Sequence, residues 1–221
     1  MIFINFKTYQ KGTGEEALKL IKQTEKLFDE IQTPITILAQ AVDIRLFAQN
    51  TKLPIWAQHI DNVDYGKYTG WTLPEAIKIA GAKGTMINHA EHKIPLADVS
   101  NLLDKFKEQT FEIMVSTTSP EEALIMDQLK PNYVTYEPQD YIGTKISVID
   151  VAPDIIKSLT TRLSTPLVIG AGIHKPEHIT LGAALGAKGF LISSDVLLSE
   201  SPEQRLREYM LAHKNAYSTI S

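Results

Sequence analysis

The sequence predicts one α/β domain of the (β/α)8-barrel class over residues 1–221. Eight short apolar or β-branched runs alternate with amphipathic stretches from end to end, and no Ser/Gly-rich or charge-run linker divides them. Such a barrel typically takes about 250 residues, with roughly 200 as its lower end. At 221 residues the helices must be shortened. An open doubly wound sheet shares the alternation and stays open as an alternative, although no G-x-G-x-x-G follows the first strand.

Taken in order, the first strand covers 2–6 and the first helix 15–30, where Ala17, Leu20, Ile21, Leu27 and Phe28 fall on one face. Strands at 35–39, 55–58 and 84–88 follow, with helices at 42–49, 73–80 and 96–108. The fifth strand, 111–116, leads to a helix over 120–129. Ser119-Pro120-Glu121-Glu122 starts that helix with a cap, an N1 proline and acidic residues. The sixth strand, 133–137, precedes a helix over 148–159, and the seventh, 167–170, one over 175–185. The last strand covers 189–192 and the last helix 203–214, where Ser201-Pro202-Glu203 repeats the start signal.

Composition excludes several function classes. Hydrophobic residues at 43% and charged residues at 22% describe an ordinary globular chain. A net charge of −4 gives no sign of a nucleic-acid surface. The absence of cysteine removes disulfides and thiolate metal sites and fits a reducing cytoplasm. Met1-Ile2-Phe3-Ile4-Asn5-Phe6-Lys7 lacks the pattern of a signal peptide, and no apolar stretch approaches the roughly 20 residues of a membrane span.

Chemistry is expected where the carboxyl ends of the strands meet. The sixth run ends in Glu137, followed by Pro138 and then Gly143-Thr144, the outline of a general base with a lid attached. The first run ends in Asn5-Phe6-Lys7, with Asn5 and Lys7 on one face by the period of two, and the fourth in Asn88-His89-Ala90-Glu91. Gly170-Ala171-Gly172 and Ser193-Ser194 follow strands seven and eight, where barrels often bind phosphate on backbone N–H groups.

In this order, Asn5-Phe6-Lys7, Asn88-His89-Ala90-Glu91, Tyr136-Glu137-Pro138 and Ile142-Gly143-Thr144 resemble the triosephosphate isomerase family, and the short helices look like its compact archaeal branch. The similarity extends to Ala57-Gln58-His59-Ile60-Asp61 and Gly170-Ala171-Gly172-Ile173, so it covers essentially the whole chain. It implies interconversion of dihydroxyacetone phosphate and D-glyceraldehyde 3-phosphate, in glycolysis and gluconeogenesis, without metal or organic cofactor. By the same resemblance Glu137 is the base, His89 a neutral electrophile, Lys7 the electrostatic stabiliser, Asn5 an orienting group and Glu91 a supporting acid. Residues 138–146 are the lid, with the Gly143 N–H reaching the phosphate, and Gly170, Ala171, Gly172, Ser193 and Ser194 complete the substrate site. A cytoplasmic homo-oligomer, dimer or tetramer, is implied, with the loop over 62–71 and its Tyr65, Tyr68 and Trp71 reaching a neighbouring subunit. Neither nucleic acid nor membrane is an expected partner.

Three positions depart from the family pattern. Lys145 stands where the lid usually continues with Gly, Ala90 where a Ser usually follows the histidine, and Ser193-Ser194-Asp195 replaces a glycine-rich turn. Asp195 is unwelcome beside a phosphate dianion unless it points away or caps a helix. His59 and Asp61 have metal-ligand spacing but make an incomplete set, and loop structure is the favoured interpretation. Another phosphosugar isomerase or epimerase, or a phosphate-ligand binding protein without turnover, remains as an alternative.

Overall fold

The computed structural model describes residues 1–218. Strands β1 (Ile2–Asn5), β2 (Ile35–Ala39), β3 (Ile55–Ala57), β4 (Gly84–Ile87), β5 (Glu112–Thr117), β6 (Tyr133–Tyr136), β7 (Leu167–Ile169) and β8 (Gly189–Ile192) form a closed barrel. Neighbours are parallel throughout, and β8 closes onto β1 through Ile2 opposite Phe190 and Ile4 opposite Ile192. Closure decides against the open sheet.

The connecting helices are α1 (Gly14–Ile31), α2 (Ile44–Asn50), α3 (Pro74–Ala80), α4 (Leu96–Phe106), α5 (Pro120–Asp127), α6 (Val148–Val151), α7 (Pro153–Arg162), α8 (Pro176–Ala184), α9 (Ser194–Leu197) and α10 (Pro202–Ser218). The single helix expected over 148–159 is two. Pro153 has no N–H and forces the residue before it out of the helical region, and Ala152 accordingly has φ −139° and ψ 48°. The short α9 after β8 was not among the expected helices. The start of α5 is as expected, with Ser119 Oγ accepting the Glu122 N–H at 3.1 Å.

Two apolar layers hold the barrel. Outward-facing strand residues such as Ile4, Ile37, Val115 and Ile169 pack under the helices. Phe3, Leu38, Trp56, Met86, Met114, Val168 and Leu191 fill the interior, with Phe3 and Trp56 rings 5.4 Å apart. Tyr133 leans on this interior plug. Strand pleating then sets the mouth. Two residues past Phe3 comes Asn5, past Met114 Ser116, past Val168 Gly170 and past Leu191 Ser193, while Glu137 lies four past Tyr133. The plug is therefore the floor on which these residues stand.

Candidate active site

Phe6, Gln58, Asn88, Glu137 and Gly170, expected as terminal strand residues, each lie one position beyond the strand. Released from the ladder, the backbone can turn there. Lys7 has φ 46° and Asn88 φ 60°, left-handed values that side chains other than glycine adopt at a cost of about 1–3 kcal/mol. Lys7 shares the mouth with Asn5 as the period of two expects, although the turn rather than the pleat carries it there. The turn is held by the Lys7 N–H on Asn5 Oδ1 at 3.0 Å and by Gln58, whose Nε2 donates to the Lys7 carbonyl at 3.0 Å. Asn88 Nδ2 donates to the Ser116 carbonyl and to Glu122 Oε1, both at 2.9 Å, fixing the loop that presents His89.

Asn5, Lys7, Glu137, Gly143, Ala171, Gly172, Ser193 and Ser194 line one cavity of about 340 Å³ at the mouth. His89 adjoins it through Glu137, with Nε2 3.6 Å from Oε2. Glu91 is tied to the set through an ion pair with Lys7. Gly170 lies behind Glu137 rather than on the cavity wall. A Cβ there would sit 2.3 Å from Glu137 Oε1, so the glycine is what lets the carboxylate occupy its place. Gly172 has φ +72°, and a Cβ on it would meet the Ile146 carbonyl at 1.9 Å, so the end of the expected lid crosses directly over the β7 turn. Lys145 is exposed and outside the left-handed region, so in this conformation the lid needs no glycine at that position.

The imidazole of His89 is 6% exposed, and its Nδ1 accepts the Glu91 N–H at 3.1 Å. That bond assigns the neutral ring with its hydrogen on Nε2. Among the described residues this Nε2 has no hydrogen-bond partner. Leaving a buried donor unpaired costs about 1–3 kcal/mol. An incoming oxygen at that point would remove the penalty.

Glu137 is 5% exposed, and its Oε2 accepts from Ser116 Oγ at 3.1 Å. Sequence reasoning missed Ser116, although it ended the fifth predicted run and obeys the rule that singled out the others. It supplies a hydroxyl to the carboxylate although Ala90 has none to give. Ser116→Ala is expected to lower kcat/KM about tenfold, as a net bond worth about 1–1.5 kcal/mol implies. Steady-state kinetics on a variant with unchanged thermal stability measures it, and kinetics equal to wild type would remove Ser116 from the site.

Behind the β7 turn, His178 is fully buried between the His174 N–H, 3.4 Å from Nδ1, and Asp150 Oδ2, 3.0 Å from Nε2. Burial pulls this imidazole below its ordinary 6.5, and the bond to Asp150 offsets only part of that. The unfolded chain therefore takes up a proton near pH 6.5 that the native chain refuses. Stability from this group is complete above that pH and declines as the pH falls below it. We expect Tm to drop as the pH falls below about 6.5, with a shallower slope for His178→Gln. Identical slopes would contradict the assignment.

His59 Nε2 lies 3.1 Å from Asp61 Oδ1, the His59 ring stacks on His92, and the Thr72 N–H donates to Asp61. These contacts order the loop after β3. No group of three or more His, Asp or Glu able to hold a metal occurs among the described residues.

A closed (β/α)8 barrel with a carboxylate, an imidazole and a lysine brought together at its mouth places the chain among the (β/α)8-barrel enzymes. The family model described as triosephosphate isomerase matches residues 1–208. Relatives named triosephosphate isomerase from Methanocaldococcus jannaschii and Methanothermus fervidus are each 36% identical over 213 residues, 94% of this chain and 97% and 96% of theirs. The one from Methanobacterium bryantii is 34% identical over 211 residues, 93% of both chains. The chain belongs to the triosephosphate isomerase family.

Proposed function

We propose that the chain interconverts dihydroxyacetone phosphate and D-glyceraldehyde 3-phosphate through an enediol(ate), with the steps divided among Glu137, His89 and Lys7. The observation that carries this is the buried His89 Nε2, unpartnered among the described residues and 3.6 Å from the Glu137 carboxylate at the cavity. Glu137 takes a proton from the carbon next to the substrate carbonyl, whose oxygen gains the charge. The His89 Nε2–H donates to that oxygen, and the Lys7 ammonium offers fixed positive charge. After the proton on the paired oxygens is redistributed, Glu137 returns its proton to the neighbouring carbon. This family is the usual illustration of a glutamate base, a neutral histidine and a closing lid.

Asn5 orients the lysine by accepting its N–H, and Glu91 links Lys7 to His89. The backbone of Gly143, Ala171, Gly172, Ser193 and Ser194 holds the phosphate, and Gly170 supports Glu137 from behind. The lid over 138–146 keeps water from the intermediate, which would otherwise expel its phosphate. No metal or organic cofactor takes part.

The chain acts as one barrel domain in the cytoplasm, in glycolysis and gluconeogenesis. No helix among the described residues is long and apolar enough to cross a membrane. Tyr65, Tyr68 and Trp71 are 71%, 46% and 56% exposed on the loop after β3, which supports a homo-oligomer formed through that loop. Light scattering reads the mass, and a monomer at all concentrations would contradict it.

A coupled isomerase assay on purified protein with EDTA tests the function. Turnover of the triose phosphate is expected. Loss of activity on chelation would favour a metal-dependent phosphosugar isomerase instead, and phosphate binding without turnover would favour a binding protein.

A further inference from the structure

Asp195 lines the same cavity as Ser194 and Gly172, immediately after the β8 turn. Alone, a carboxylate there repels a phosphate dianion, and the poorly screened wall of a cavity strengthens that repulsion. Two residues of α10 answer it. Tyr209 donates its hydroxyl to Asp195 Oδ2 at 2.6 Å, and Arg205 Nε pairs with the same oxygen at 2.9 Å. Tyr209 is fully buried, and burial together with Asp195 pushes its phenol far above the ordinary value, so it stays a donor. Arg205 lies on the cavity wall itself, its Nη1 donating to Glu208 at 3.0 Å and its guanidinium 6.0 Å from the Tyr209 ring. Of the other cations on that wall, Lys7 is paired with Glu91 and Lys145 is on the exposed lid segment.

We propose that Arg205 is a substrate-affinity residue of this site. It is a cation brought from the C-terminal helix to cancel the charge of Asp195, which would otherwise repel the substrate phosphate. This rests on the isomerase function proposed above and adds a residue to its phosphate end. Asp195, on the cavity lining, does not stand uncompensated; it is held as half of a fixed pair. The two positions are ten residues apart, and each makes the other tolerable. Losing the arginine leaves the charge of Asp195, then hydrogen-bonded only to Tyr209, uncancelled at the cavity, whereas losing both charges keeps the local net charge as it is in the native chain.

The test is a cycle of Arg205→Ala, Asp195→Asn and the double variant, read by calorimetry with inorganic phosphate and by steady-state kinetics. Arg205→Ala is expected to weaken phosphate binding and raise KM about tenfold, equal to about 1.4 kcal/mol, with kcat within about twofold. Asp195→Asn, which keeps an acceptor for Tyr209, should tighten phosphate binding. The double variant should return to within about threefold of wild type. Unchanged phosphate affinity in Arg205→Ala, or a double variant as weak as that single one, would overturn the proposal. Should Arg205→Ala fail to fold, Arg205→Lys and Arg205→Gln decide: Lys should bind phosphate nearly as wild type and Gln should not, and equal affinities would contradict the charge argument. Calorimetry needs no turnover, so the two proposals fail separately. A wild-type protein that isomerises while Arg205→Ala binds phosphate normally defeats only this inference. One that binds phosphate through Arg205 without isomerising defeats only the assigned activity.

Discussion

Glu137→Asp is expected to lower kcat by on the order of 10²-fold or more while KM stays within about threefold, because a misplacement of about 1 Å at a reacting group is that costly. The substitution preserves the charge and withdraws the carboxylate by one methylene. In the native site three contacts fix its position: Ser116 Oγ on Oε2, the His89 ring 3.6 Å away, and the Gly170 backbone behind. The shorter side chain cannot meet all three, and it opens a gap above Gly170. Substrate affinity should survive, since in the proposed site the phosphate lies on the turns after β7 and β8, whose Ala171, Gly172, Ser193 and Ser194 line the cavity through residues other than Glu137. Steady-state kinetics separates the two quantities. A kcat near wild type would mean that another group moves the proton.

Lys7→Ala is expected to cost on the order of 10³-fold in kcat/KM, at the upper end of what loss of one stabiliser of a developing oxyanion causes. Here the loss is compounded. Lys7 is the cavity cation paired with Glu91, and the Glu91 backbone sets the tautomer of His89. Without the ammonium, the Glu91 carboxylate is left unpaired 3.7 Å from His89 Nδ1, where its charge opposes the electron flow that the reaction requires. The backbone need not suffer, because the Asn5 and Gln58 bonds reach main-chain atoms of residue 7. A correctly folded variant with low turnover is therefore the outcome, checked by Tm beside kinetics. Retained activity would remove Lys7 from the constellation.

How much of this was legible in the sequence depends on the range of the interactions involved. The barrel was legible because each strand is a short apolar run bounded by polar turns, and because both faces of a parallel strand are buried, as in Ile2–Asn5. The mouth was legible in part, since Asn5, Glu137, Gly170 and Ser193 follow the pleat from interior residues. The left-handed turn at Lys7 was hidden, since no glycine marks it, and a hydrogen bond from Gln58, 51 residues away, secures it. The break at Ala152 carried a local signal in Pro153, and the apolar spacing on both sides outweighed it. Ser116 obeyed the strand-end rule, but its partner Glu137 is set by the pairing of β5 with β6. The pairing of Asp195 with Arg205 and Tyr209 is of the same kind. A helix face reached ten to fourteen residues later supplies the partners, and only the folded chain brings them to one cavity.

Proton transfer by a carboxylate makes a prediction that rate constants alone do not. Isomerisation of D-glyceraldehyde 3-phosphate in D2O with EDTA present, followed by NMR of the product, reports where the migrating hydrogen comes from. In the proposed mechanism Glu137, which lines the solvent-accessible cavity, holds the proton between two steps, so a fraction of it exchanges with solvent held in the cavity before it is returned. Dihydroxyacetone phosphate carrying deuterium at the carbon that receives the proton is the expected product. Product formed at full rate with no fraction of it deuterated at that carbon would contradict a base that holds the proton beside solvent, and would point to direct passage of the hydrogen between the carbons.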